Sequence, residues 1–126
     1  MIYLDTHVVV MLHAAFTEKI PQKAQRLIDA SQTVLISPMV HLEMQYLYEL
    51  DKIYTAPGKI LDDLAATLGL QLCNLPFSIV ATKAVHETWT RDPFDRIITA
   101  QARIDNVPLL TRDRAIHKHY SQAVWS

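Results

Sequence analysis

Glycine and cysteine are scarce in this 126-residue chain, which contains two of the first and one of the second. With only Gly58 and Gly69 available, no loop can bring clustered backbone N–H groups against a phosphate, so the Walker A and GxGxxG signatures are excluded. Cys73 stands alone, which rules out a disulfide framework or a cysteine-rich zinc site within one chain. A reducing, cytoplasmic setting is compatible with that. The opening residues Met1-Ile2-Tyr3-Leu4-Asp5 carry no basic n-region and do not read as a secretory signal. Residues 64–82 lack Asp, Glu, Lys and Arg, which raises the question of a membrane span. Gly69, Gln71, Asn74, Pro76 and Ser78 break the stretch into helix end, strand, turn and helix start, so it reads as core.

What is present describes a globular protein: 50% of residues are apolar and 20% charged. The length fits one domain, residues 1–126, able to bury a core without disulfides. Charge is uneven within a net of −1. Residues 1–87 hold six Lys/Arg against nine Asp/Glu, and residues 88–126 hold six against four. A local basic excess can steer a polyanion even when the whole chain is near neutral, although a solvated surface is an equal reading.

Short apolar runs alternate with helical patterns. Strands are expected at residues 2–4, 33–36, 70–73, 107–110 and 123–125; helices are expected at 7–13, 21–31, 39–50, 57–68, 76–87, 92–105 and 113–119. Ser37-Pro38 is a helix start with serine as N-cap and proline at the first helical position. This alternation predicts an α/β fold with a mainly parallel sheet covered on both faces.

Four carboxylates occupy uncommon positions. Asp5 directly follows the first strand, where open α/β sheets collect ligands, although it could simply cap the next helix. Glu43 shares a helical stripe with Val40, Met44, Leu47 and Leu50, opposite Gln45 and Glu49. An ionised carboxylate on that core side needs a partner, either a salt bridge or a metal. In Asp92-Pro93-Phe94-Asp95, an N-cap and an acid at the third helical position suit a helix start, yet Asp95 also aligns with Ile98 and Ala102. Asp113 follows the fourth strand by a short turn and could be only a cap. Two like charges about 4 Å apart repel by roughly 4 kcal/mol at an effective dielectric of about 20, so converging carboxylates call for a cation. Oxygen ligands without cysteine or a well-placed histidine select Mg²⁺ or Mn²⁺ over zinc.

Ile2-Tyr3-Leu4-Asp5-Thr6-His7, Ser37-Pro38 with Leu42-Glu43, Arg91-Asp92-Pro93-Phe94-Asp95-Arg96-Ile97-Ile98 with Ala102, and Leu110-Thr111-Arg112-Asp113 resemble the PIN domain. More closely, they resemble the VapC toxins of bacterial toxin–antitoxin modules, with the motifs in the family's order along nearly the whole chain. The resemblance implies a three-layer α/β/α sandwich and a metal-dependent endoribonuclease, with a VapB-type antitoxin and commonly a homodimer. It matches Asp5, Glu43, Asp95 and Asp113 to the family's four acids. Asp5 and Asp95 would hold Mg²⁺ or Mn²⁺ directly, with Glu43 and Asp113 completing the site. It implies attack on an RNA phosphodiester by metal-activated water, leaving 5′-phosphate and 3′-hydroxyl ends. Asp92 fits a cap or supporting group, and Thr6 and Thr111 fit hydroxyl ligands of water or phosphate. Arg91, Arg96, Arg112 and Arg114 flank the acids and are phosphate-contact candidates; salt bridges to neighbouring aspartates are the equal alternative.

The six histidines form no acid–base pairing that can be placed from sequence, and His117 and His119 read as surface residues. Tyr46 and Tyr48 point away from the Glu43 stripe and leave apolar area for a partner. Trp89 and Trp125 suit core or interface equally. Two rival readings stand beside the nuclease. A receiver-type signalling domain would need adjacent acids after the first strand, where this chain has Asp5-Thr6. A non-catalytic RNA-binding PIN module would be favoured by a missing acid, yet all four positions are filled.

Overall fold

The structure is a computed structural model that describes residues 1–15 and 17–126, apart from the Thr17 side chain. The apolar runs Ile2–Leu4 (β1), Val34–Ile36 (β2) and Leu109–Leu110 (β4) are buried at every position. This is the continuous pattern of a sheet covered on both faces, without the alternation of a half-exposed one. Gln71–Leu72 (β3) and Ala123–Val124 (β5) flank them. The order is β3-β2-β1-β4-β5 and every pairing is parallel, with Tyr3 opposite Leu35 on one side and Leu109 on the other.

Among the described residues, seven α-helices supply the crossovers: Thr6–His13 (α1), Gln22–Ala30 (α2), Pro38–Glu49 (α3), Pro57–Leu68 (α4), Phe77–Ala84 (α5), Pro93–Asp105 (α6) and Arg114–His119 (α7). From β1 the chain steps to β2 and β3, then returns past β1 to β4 and β5. Right-handed crossovers place helices on opposite faces when the direction of travel reverses, which yields the α/β/α sandwich. The reversal point lies between β1 and β4, where open sheets form a crevice beyond the strand ends.

Some boundaries differ from the sequence expectation for local reasons. The strand expected at 70–73 keeps only Gln71 and Leu72, because Leu70 belongs to the end of α4. There Gly69 adopts a left-handed conformation (φ 68°) and the Leu70 N–H donates to the Leu64 carbonyl at 3.3 Å. Val107 is likewise lost from β4: Asn106 is left-handed (φ 56°), and the Val107 N–H donates to Ala102 O at 3.2 Å. The helix expected to reach residue 87 ends at Ala84. Leu50, placed by periodicity on the buried stripe of α3, is 46% exposed because the helix ends at Glu49 and the chain turns away.

Beneath the sheet, Tyr3 is fully buried, and its hydroxyl lies 2.6 Å from Asp105 Oδ2 and 2.9 Å from Cys73 Sγ. Burial and these neighbours hold the phenol well above its usual range, so it stays protonated and a hydrogen-bond donor. Residues Ile97 to Ala102 are buried without interruption, making α6 a central helix. Among the described residues, no helix is long and apolar enough to cross a membrane.

Candidate active site

Parallel pairing of β1 with β4 brings two strand ends together, and each hands its chain to a helix through an aspartate. Asp5 caps α1: Oδ1 accepts the Thr6 N–H at 2.8 Å, while Oδ2 accepts the Thr111 hydroxyl at 2.6 Å. Both Asp5 and Thr111 are buried. Asp113 caps α7, its Oδ1 accepting the Ile116 N–H at 3.0 Å, and its own N–H donates to Thr111 Oγ1 at 3.0 Å. Thr111 therefore joins the two caps. The cap reading of Asp5 and Asp113 holds, and it leaves both carboxylates at the same crevice.

Glu43 enters from α3, half-buried, with Thr6 Oγ1 donating to its Oε1. Burial pushes its carboxyl above the ordinary range; the Thr6 bond opposes this, and the negative charges of Asp5 and Asp92 reinforce it. Asp92 caps α6, accepting the N–H groups of Phe94 at 2.8 Å and Asp95 at 3.3 Å. Asp95 sits in the first turn of α6 and is also half-buried. Burial raises its pKa to about 7, with further contributions from Asp92, Asp5, Asp113 and Glu43 in that order. The field of every other acid in the group thus converges on Asp95.

These five carboxylates, with Thr6, His7 and Leu47, line one cleft of about 240 Å³. The hydroxyls of Thr6 and Thr111 each donate to a carboxylate and fix its orientation. Donor chemistry fits a hard divalent cation, since five carboxylates crowd the cleft and their mutual repulsion is what a cation relieves. Among the described residues, however, no three His, Cys, Asp or Glu side chains already form a closed ligand set. Side-chain rotation around an ion would have to complete it.

His7 is the cleft residue that sequence reasoning missed. Its Nε2 accepts the Arg112 N–H at 2.9 Å, which leaves the ring proton on Nδ1, 3.7 Å from Asp5 Oδ2. Burial is the first cause that lowers its pKa, against the raising influence of Asp5. The ring meets Trp125 edge-on at 6.0 Å, which ties β5 to α1. Its place two residues after Asp5, on the first turn of α1, was the available signal. His117 is exposed as expected, yet its Nε2 donates to the Thr111 carbonyl at 2.6 Å and steadies the same turn.

The arginines divide. Arg91 Nη1 donates to Thr88 O at 3.0 Å and Arg96 Nε to Thr90 O at 2.9 Å, so both brace the loop before α6. Arg112 and Arg114 are exposed beside Asp113. Among the described residues none of the four forms the salt bridge to a neighbouring aspartate that was the alternative reading.

Two solved structures share this architecture across nearly their full length. VapBC2 from Rickettsia felis, bound to a DNA fragment from its promoter, is 19% identical with a TM-score of 0.66, covering 100% of both chains. A toxin–antitoxin complex from Klebsiella pneumoniae is 16% identical with a TM-score of 0.66, covering 98% of this chain and 96% of that one. No curated protein matches in sequence. The family model of the PIN domain matches residues 2–121, a span that runs from β1 through α7 and takes in every acid of the cleft. On that match the chain belongs to the PIN domain family.

Proposed function

We propose that this protein is the toxin of a VapC-type toxin–antitoxin pair, a Mg²⁺- or Mn²⁺-dependent endoribonuclease that leaves 5′-phosphate and 3′-hydroxyl ends. The observation that carries this reading is the convergence of Asp5, Glu43, Asp95 and Asp113, from four separate elements, on one cleft. Asp5 and Asp95 would hold the ion, and Glu43 and Asp113 would complete its surroundings. A bound divalent ion supplies activation of water and neutralisation of charge developing on the phosphoryl group. Thr6 and Thr111 keep two of the carboxylates aimed into the cleft, and Asp92 fixes the start of α6 so that Asp95 projects there. Arg112 and Arg114, exposed at the rim, would meet RNA phosphates, with Arg91 and Arg96 holding the neighbouring loop.

The two structural neighbours are toxin–antitoxin assemblies, which supports a VapB-type antitoxin as the protein partner. Exposed Leu42 and Tyr46, one turn apart on α3, give that antitoxin, or a second copy in a homodimer, an apolar face to cover. A cytoplasmic site of action is part of this reading.

The test incubates purified protein with total cellular RNA in Mg²⁺, in Mn²⁺ and in EDTA, beside Asp5→Asn and Asp95→Asn. Metal-dependent cleavage with 5′-phosphate ends, lost in both variants, is the expected result. Cleavage in EDTA, or activity surviving both changes, overturns the mechanism. Cation binding without cleavage of any RNA would favour the non-catalytic RNA-binding reading.

A further inference from the structure

A cavity of about 840 Å³, larger than the acidic cleft, opens at the other end of α6. Along the helix axis Asp95 and Arg103 are eight residues apart, about 12 Å at 1.5 Å per residue, so the two sites are distinct. The cavity is organised around Glu87, which is 4% exposed. Its Oε1 accepts Arg103 Nε at 2.7 Å, and its Oε2 accepts the Trp89 indole N–H at 2.6 Å and Arg103 Nη2 at 3.3 Å. Arg103 Nη2 also donates to His119 O at 3.0 Å, and the guanidinium lies 5.0 Å from the centre of the Tyr120 ring. Finally, the Trp89 and His119 rings stack at 5.1 Å with planes 9° apart.

The arginine that Glu87 holds is 48% exposed and forms part of an open wall, with Nη1 outside this set of bonds. Glu87 is the one acid of the lining and is matched by Arg103. Lys83 is exposed on the same wall with no ion pair among the described residues, so it sets a positive sign for the cavity. The result is a guanidinium fixed before any ligand arrives, an unpaired ammonium, and a flat aromatic pair. The volume lies within the ~300–1,000 Å³ typical of small-molecule sites. A fixed guanidinium recognises phosphate, and aromatic faces accept bases of any sequence.

We propose that this cavity is a nucleotide-binding site. It takes a nucleoside phosphate whose base stacks on the Trp89–His119 pair and whose phosphate meets Arg103 and Lys83. The inference does not depend on the acidic cleft being a nuclease. The nucleoside phosphate is either a free nucleotide or one unit of a single-stranded RNA, and the test separates the two.

The experiment titrates the protein in EDTA with AMP, with UMP and with a six-nucleotide single-stranded RNA, following the two indole N–H signals by NMR. Trp89 reports on the cavity, and Trp125, packed against His7, reports on the acidic cleft. Expected is a saturable shift of the Trp89 signal. Lys83→Glu and His119→Ala, both at exposed positions, should each weaken that binding at least fivefold while thermal unfolding shows them folded. A Trp89 shift with AMP or UMP identifies the nucleotide itself as sufficient; a shift with RNA alone assigns the site to a strand. The proposal is overturned if no arm moves the Trp89 signal, if only Trp125 responds, or if both variants bind as tightly as the unaltered chain.

Discussion

Asp95→Asn should stabilise the metal-free protein at neutral pH while abolishing its proposed activity. In the folded chain the carboxyl of Asp95 is raised from the ordinary 3.8 to about 7, by burial first and then by the acids around it. The folded state therefore binds this proton more tightly than the unfolded chain. Below pH 3.8 both states are protonated and the group contributes no penalty. Between pH 4 and 7 the unfolded chain has released its proton and the folded one has not, so stability falls as pH rises. Above pH 7 the penalty is constant. At about 1.4 kcal/mol per pH unit, a shift of roughly three units has an upper limit of about 4 kcal/mol. Solvent screening of a half-buried group reduces this to about 1–2 kcal/mol. A favourable interaction with the N-terminal end of α6, about 0.3–1 kcal/mol, is too small to reverse the sign. Urea unfolding in EDTA at pH 5, 6, 7 and 8 should show the advantage of Asp95→Asn growing with pH and levelling off near pH 8. Added Mg²⁺ should then stabilise the unaltered chain more than the variant. An advantage that does not change with pH, or a variant less stable at pH 8, would refute the idea that the cleft holds its acids against their own repulsion.

Three other substitutions test separate parts of the structure. Thr111→Val keeps the shape of a buried side chain but removes the donor to Asp5 and the acceptor of the Asp113 N–H; the proposed nuclease activity should fall at least tenfold, with about 1–2 kcal/mol lost in denaturant unfolding. Glu87→Ala leaves Arg103 and the Trp89 indole without their acceptor, and should cost about 2–4 kcal/mol, read as a lower urea midpoint. Thr99→Val should raise stability by about 1 kcal/mol in the same assay, because the buried Thr99 hydroxyl has no hydrogen-bond partner among the described residues.

Much of this architecture could be read in the chain because it rests on local chemistry. Ser37-Pro38 starts α3 as its residue types dictate, with Ser37 accepting the Met39 N–H at 3.0 Å, and Gly69 ends α4 because a left-handed residue is needed there. Asp92 could be given the N-cap of α6 and Asp95 a place in its first turn from their spacing to Pro93 alone. The errors fell where a residue's partner lies outside its own element. Leu50 lies one residue past the end of α3, so helical periodicity no longer decides its exposure. Nor does anything local show that Thr6 donates to Glu43 and Thr111 to Asp5, so those acceptors could not be named from the chain.

The sequence by itself determined which segments become strands and helices and which carboxylates stand at their ends, since propensity, capping and periodicity act within a few residues. Tertiary structure alone decided that β4 lies beside β1, and with it that Thr111 meets Asp5 across 106 positions and His7 meets the backbone of Arg112. The same holds for the second cavity, where Glu87 and Arg103 are unremarkable surface types until α6 buries one against the other. Strand order is set by the burial of whole faces, a property no short window of sequence contains; it builds the acidic cleft, while the second cavity comes from the packing of α6 beside α5, the segment after it and the end of α7.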